Sequence, residues 1–175
     1  MQRDGDVVAA DGGVLSVDLP GTFFMSIKHR NHLGALCTNV LTVANAAVAL
    51  DFTSLGNDDL FSNPGFSGQV AMTTVGGVRA LYTGNANFDD RIKYDGAQND
   101  TQIAASQVLN HPHNAGVILN YANAEGYYSG DINMDGLVLY DGANNDRQFI
   151  LNTVLTYPLN QNLLSNYNGL LEQMP

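Results

Sequence analysis

The chain carries a copy of part of itself. Residues 84–114 (GNANFDDRIKYDGAQNDTQIAASQVLNHPHN) and residues 130–160 (GDINMDGLVLYDGANNDRQFILNTVLTYPLN) align without a gap at an offset of 46 residues, and 14 of the 31 positions are identical. The identities include Gly, Asn, Asp and Pro as well as apolar positions. A duplicated unit must fold the same way twice. One that keeps its oxygen-bearing side chains at least as faithfully as its core points to a bound ion rather than to a catalytic site.

Composition narrows the partners. The 175 residues allow one domain or two small ones. A hydrophobic share of 45% suits a folded chain. Seventeen Asp and Glu stand against seven Lys and Arg, for a net charge of −10. That balance disfavours nucleic-acid backbones and anionic lipid, and favours cations. Glutamate occurs only at Glu125 and Glu172, so nearly all the acidity is the short side chain that suits turns and ion loops. Cys37 is the single cysteine and lies in an apolar stretch, where a buried thiol is expected. No intrachain disulfide is possible. The polar start at Met1–Asp6 has no signal-peptide pattern, and Val40–Phe52 is too short to span a bilayer.

The fold class read from the pattern is mainly β with short helices. Residues 1–82 are expected to form a β-sandwich-like domain, and residues 83–175 tandem loop–helix repeats. Strands are expected at Val7–Ala10, at Val14–Leu19 after the turn Asp11-Gly12-Gly13, and at Phe23–Ile27 with period two. Further strands are expected at Val40–Val43 and Ala46–Phe52. Val70–Thr74 and Val78–Tyr82 should form a hairpin around Gly76-Gly77. Helices are expected at Asp100–Leu109 and Asp146–Leu155, with Asp100 and Asp146 as N-caps and Pro112 and Pro158 just beyond the ends.

The chemistry is concentrated at Asp131-Ile132-Asn133-Met134-Asp135-Gly136-Leu137. This D-x-N-x-D-G opening is that of a calcium loop. Side chains at positions 1, 3 and 5 converge, Gly136 permits the sharp turn, and the Leu137 carbonyl adds a further oxygen. Position 12, where a closing carboxylate is usual, is Gly142. Asp146, four residues later, is expected to close the site from the positive end of its helix. The first copy offers Asn85, Asn87, Asp89, the Arg91 carbonyl and Asp100. Asn85 replaces an aspartate there, which should lower affinity, and Asp90 replaces the glycine, which should cost strain. Two Ca2+ sites are therefore expected. Asx turns alone explain isolated Asn and Asp, but not the same spacing twice.

The stretch SGDINMDG and, three residues on, YDGANNDRQFILNTVL resembles the dockerin-like calcium repeats at the C-terminal ends of large secreted proteins of the Bacteroidetes type. GTFFMSIKHRNHLGALCTN resembles the β-rich segment that usually precedes them. The resemblance covers roughly residues 2–160, and its most specific parts are KHRNHLG and GDINMDG. It implies an extracellular or cell-surface, non-catalytic, calcium-stabilised module with EF-hand/dockerin-like units. The lengthened loop before Asp146 departs from dockerins proper, so cohesin binding is not implied. The abrupt start suggests an open sheet edge and assembly into a homo-oligomer or filament. The alternative is a protein-binding or carbohydrate-binding appendage of a secreted enzyme.

Other residues carry weaker signals. His29 and His32, three apart on an expected strand end, should not share a face and so make a poor zinc pair. Nothing marks Cys37 as an activated nucleophile. Paired carboxylates for glycoside hydrolysis are available by number, but most already have a loop role. Asn99-Asp100-Thr101 is a glycosylation sequon that overlaps the ion loop. Tyr82, Tyr94, Tyr121, Tyr127, Tyr128 and Tyr140 could stack on sugars, though Tyr94 and Tyr140 recur in the repeat and are expected to pack.

Overall fold

Short apolar runs punctuated by Gly, Pro and Asn make short strands, and the computed structural model, which describes residues 20–44, 50–65, 68 and 70–175, contains three antiparallel pairs among them. Strand β1 (Gly21–Phe23) pairs with β4 (Leu41–Val43), and β2 (Ser26–Ile27) pairs with β3 (Ala35–Leu36). Strands β5 (Met72–Val75) and β6 (Val78–Leu81) form the expected hairpin. Gly76 and Gly77 turn it with φ of 58° and 87°, the pair of positive angles that a tight two-residue hairpin demands. The described residues thus combine small antiparallel sheets with two short helices, as a β-rich chain with short helices would.

Two strand expectations need correction. The period-two run Phe23–Ile27 is broken, because Phe24 and Met25 are exposed and the Met25 carbonyl accepts from the Cys37 N–H at 2.9 Å. Phe52 does not end a strand. It opens a 3-10 turn, Phe52–Ser54, where the Asp51 carboxylate accepts from the Thr53 N–H. The expected elements at Val7–Ala10, Asp11–Gly13 and Val14–Leu19, and most of Ala46–Phe52, lie outside the described residues. Cys37 is buried, as expected.

Helix α1 spans Thr101–Leu109 and α2 spans Asp146–Thr156. Asp100 stands at the N-cap position of α1, as expected, but its side chain makes no cap bond; the side chains that cap the two helices are Asn99 and Asn145. Asn99 Oδ1 accepts from Gln102 N at 3.0 Å, and Asn145 Oδ1 from Gln148 N at 2.9 Å. Asn145 has extended backbone, as an N-cap requires, and Asp146 already lies inside α2. Each cap frees the neighbouring aspartate for another task.

The duplication runs further than the 31 aligned residues. The six non-glycine residues with positive φ among the described residues form three pairs at the same offset: Phe88 and Met134, Gln98 and Asn144, Val117 and Leu163. Past each helix, Asn114 and Asn160 repeat one network. Each side-chain amide donates to the helix end (Val108 or Val154) and to the next turn (Ile118 or Leu164), and each Oδ1 accepts back from that turn.

The trailing segments are exchanged between the copies. Ile92 N donates to Leu170 O and Glu172 N to Asp90 O, so the tail pairs with the first loop. Val138 N donates to Ala124 O and Gly126 N to Gly136 O, so the connector pairs with the second loop. Ile92 and Val138, Val108 and Val154, Ala104 and Ile150, and Ala124 and Leu170 are all fully buried. Leu33 and Tyr82 join Ile92, Ile132, Ile150 and Leu170 in one cluster, so the β part and the repeats share apolar contacts. Burial of each large side chain stabilises by about 2 kcal/mol.

Candidate metal centre

Both loops fold around their Asx side chains. In the second, Asp131 Oδ1 and Asn133 Oδ1 both accept from the Asp135 N–H at 3.1 Å, and Asp135 Oδ1 accepts from Leu137 N at 3.0 Å. Asn133 Nδ2 donates to Asp135 Oδ2 at 2.9 Å. The first loop repeats this at Asn87 and Asp89. Asp89 N donates to Asn87 Oδ1 at 3.0 Å, Arg91 N to Asp89 Oδ1 at 2.9 Å, and Asn87 Nδ2 to Asp89 Oδ2 at 2.9 Å. Positions 1, 3 and 5 are therefore folded over one another in the second copy, and positions 3 and 5 in the first.

Asp100 and Asp146 brace each loop against its helix. Asp146 Oδ1 accepts from Ile132 N at 2.6 Å and Asn133 N at 3.3 Å, while Oδ2 accepts from Leu139 N at 2.7 Å. Asp100 takes Ala86 N, Asn87 N and Lys93 N at 2.7, 3.3 and 2.7 Å. The insertion after position 7 thus brings the carboxylate back to the loop's first turn. Burial pushes the Asp100 carboxyl up to about 7 and that of Asp146 up to about 6, against the opposing pull of those N–H donors.

The copies differ at position 1. Asp131 is 2% exposed, and its Oδ2 accepts from Gly136 N at 3.2 Å and from Arg30 Nη2 at 3.0 Å. Burial raises its pKa despite these partners. Asn85, 1% exposed, donates through Nδ2 to Asp89 O at 2.7 Å, and its Oδ1 has no hydrogen-bond partner among the described residues. The strain expected at Asp90 is absent, because Asp90 is not among the residues with positive φ. Gly136 does take a left-handed φ of 93°, and Phe88 and Met134 take one in both copies.

Sequence reasoning missed Arg30 and Asn31. The guanidinium of Arg30 stacks on Tyr127, 3.9 Å from the ring centroid, while it grips Asp131. Asn31 ties the copies together. Its carbonyl accepts from Gly84 N and Asn85 N, and its Nδ2 donates to Asp131 O. The motif KHRNH was the signal, but its targets lie 50 to 100 residues away. The expectation for His29 and His32 is overturned: His32 N donates to His29 O in a turn, and the two rings meet on one face. Asn99 is buried with its side chain engaged by Gly96 and Thr101, which leaves no access for a glycan on the folded chain. Tyr82 is buried, Tyr94, Tyr121, Tyr128 and Tyr140 pack at cluster edges, and Tyr127 is 82% exposed.

Among the described residues no three His, Cys, Asp or Glu side chains form a metal cluster; the loop oxygens come from Asn and carbonyl groups as much as from carboxylates. Among those residues, too, no helix is long and apolar enough to cross a membrane. No family model matches the chain, and neither a curated protein nor a solved structure matches it.

Proposed function

We propose that the two loops are Ca2+ sites and that the chain is a non-catalytic, calcium-stabilised extracellular module: a β-sandwich-like part carrying two EF-hand/dockerin-like loop–helix units. Asp131, Asn133, Asp135 and the Leu137 carbonyl hold one ion, and Asn85, Asn87, Asp89 and the Arg91 carbonyl the other. Asp146 and Asp100 close the sites from their helices. The observation that carries the reading is the buried Asn85 Oδ1, which lacks a donor at the position that opens the loop. A buried acceptor without a partner is costly, and a hard cation satisfies it. The folded Asx oxygens of the second copy support the same chemistry. The role that follows is structural, in a secreted or cell-surface assembly of like chains with calcium as the staple.

The test is thermal unfolding with calcium and with excess chelator. Calcium bound to the native state stabilises it by mass action, so the chelator should lower Tm by several degrees, and Asp135→Ala should reproduce much of that loss. A melting curve unmoved by chelation sinks the reading. A second reading, a carbohydrate-binding appendage, rests on the exposed Tyr127 ring above a cleft shared with Arg30 and Met134. Binding on a glycan array, lost in Tyr127→Ala, would favour it.

A further inference from the structure

We infer that the turn His29–His32 is a transition-metal site, in which His29 Nδ1, His32 Nδ1 and Asn31 Oδ1 present one face to a first-row divalent ion such as Zn2+ or Ni2+. The three atoms form a near-equilateral triangle. The two nitrogens are 3.0 Å apart, and they lie 3.1 and 2.8 Å from the amide oxygen.

Hydrogen bonds satisfy that triangle only with crowding. Each Nδ1 carries either a proton or a lone pair, and Asn31 Oδ1 only accepts. With one histidine donating, the other sets its lone pair against the amide oxygen. With both donating, Asn31 Oδ1 accepts from the two at once and their like-charged hydrogens are crowded side by side, the nitrogens being 3.0 Å apart. With neither donating, all three edges are repulsive. Turning the amide over brings no relief, since the two nitrogens would then face each other as acceptors and Asn31 Nδ2 would abandon the Asp131 carbonyl.

A metal ion satisfies all three lone pairs together. Two ligand atoms each about 2.05 Å from an ion stand about 2.9 Å apart at 90° and about 3.3 Å apart at the tetrahedral angle, so the observed edges fit a higher, water-completed coordination number. The rings meet nearly at right angles, at 79° with centroids 4.9 Å apart, so neither blocks the other's nitrogen. Imidazole selects borderline transition metals rather than calcium, and water completes the coordination. The ring of His111 does not compete: its Nε2 is engaged by Glu125 O, and its Nδ1 by the His113 N–H. The ion would sit where the β part meets both copies, because His32 bridges to Thr83 and Asn31 holds Gly84, Asn85 and Asp131.

The site stands independently of the calcium reading, and its test is made with calcium in excess. Zn2+ titrated into the full chain in a non-coordinating buffer should bind one equivalent. His29→Ala and His32→Ala should each weaken it roughly tenfold or more, and His113→Ala should not. In the wild-type chain, zinc should shift the imidazole nitrogen resonances of His29 and His32 and leave those of His111 and His113 in place. This second measurement decides the matter if an alanine variant fails to fold. Absence of zinc binding up to millimolar metal, binding indifferent to both substitutions, or unmoved His29 and His32 resonances would overturn the assignment.

Discussion

Asp131 is a carboxylate almost wholly buried at the foot of a cleft, and the neighbouring atoms are arranged accordingly. Two loop N–H groups and the Arg30 guanidinium hold its oxygens, and Arg30 acts from 101 residues away in sequence. Removing one member of a buried pair leaves the other charge uncompensated, at a cost of about 3 kcal/mol. Arg30→Ala should therefore destabilise the metal-free chain by about that much in denaturant titration, and Arg30→Ala with Asp131→Asn should recover part of it. If Arg30→Ala melts like the wild type, the pair carries no such weight. The folding of the loop around Asp131, Asn133 and Asp135 was legible in the sequence, because each side chain finds its backbone N–H partner within a few residues. Arg30 was not, because nothing in a linear pattern says which distant carboxylate a basic side chain will meet. The histidine pair was misread for a related reason. Its face depends on whether KHRNH is a strand or a turn, and the His32-to-His29 backbone bond decides for the turn.

Among the elements, the helices and the β5–β6 hairpin were legible because each rests on local chemistry: apolar spacing, an Asx cap, a Gly-Gly turn. Asparagine and aspartate cap almost equally well, so the slip from Asn145 to Asp146 could be settled only by the backbone. The reciprocal pairing of connector and tail was invisible. Residues 115–129 and 161–175 share only Asn120 with Asn166 and Tyr121 with Tyr167 at the repeat offset. Their equivalence lies in main-chain bonds that any residue but proline can make. It has a measurable consequence. Leu170 is fully buried, and its carbonyl accepts from Ile92 N in the first loop. Leu170→Ala should cost about 2–5 kcal/mol. Hydrogen exchange at the Ile92 amide should accelerate more than at Val138, and calcium affinity should fall at the first loop rather than the second. Equal acceleration at both amides would show that the copies do not depend separately on their exchanged segments.

At the scale of the whole molecule, the net charge of −10 opposes compaction, and the loops gather part of it around buried or half-buried carboxylates. In the metal-free chain this repulsion is a through-space term that dissolved salt screens, over a Debye length of about 10 Å at 0.1 M. Divalent cations seated in the loops would remove much of the same term locally. The two forms should therefore answer salt differently. With chelator present, raising sodium chloride from low to moderate concentration should raise Tm. With calcium saturating, the same change should raise it far less, or lower it by weakening calcium binding. The measurement separates a staple from a bystander, because an ion bound elsewhere on the surface would leave the loop carboxylates still repelling one another. Identical salt slopes in the two conditions would place calcium away from the loops, whatever its effect on Tm.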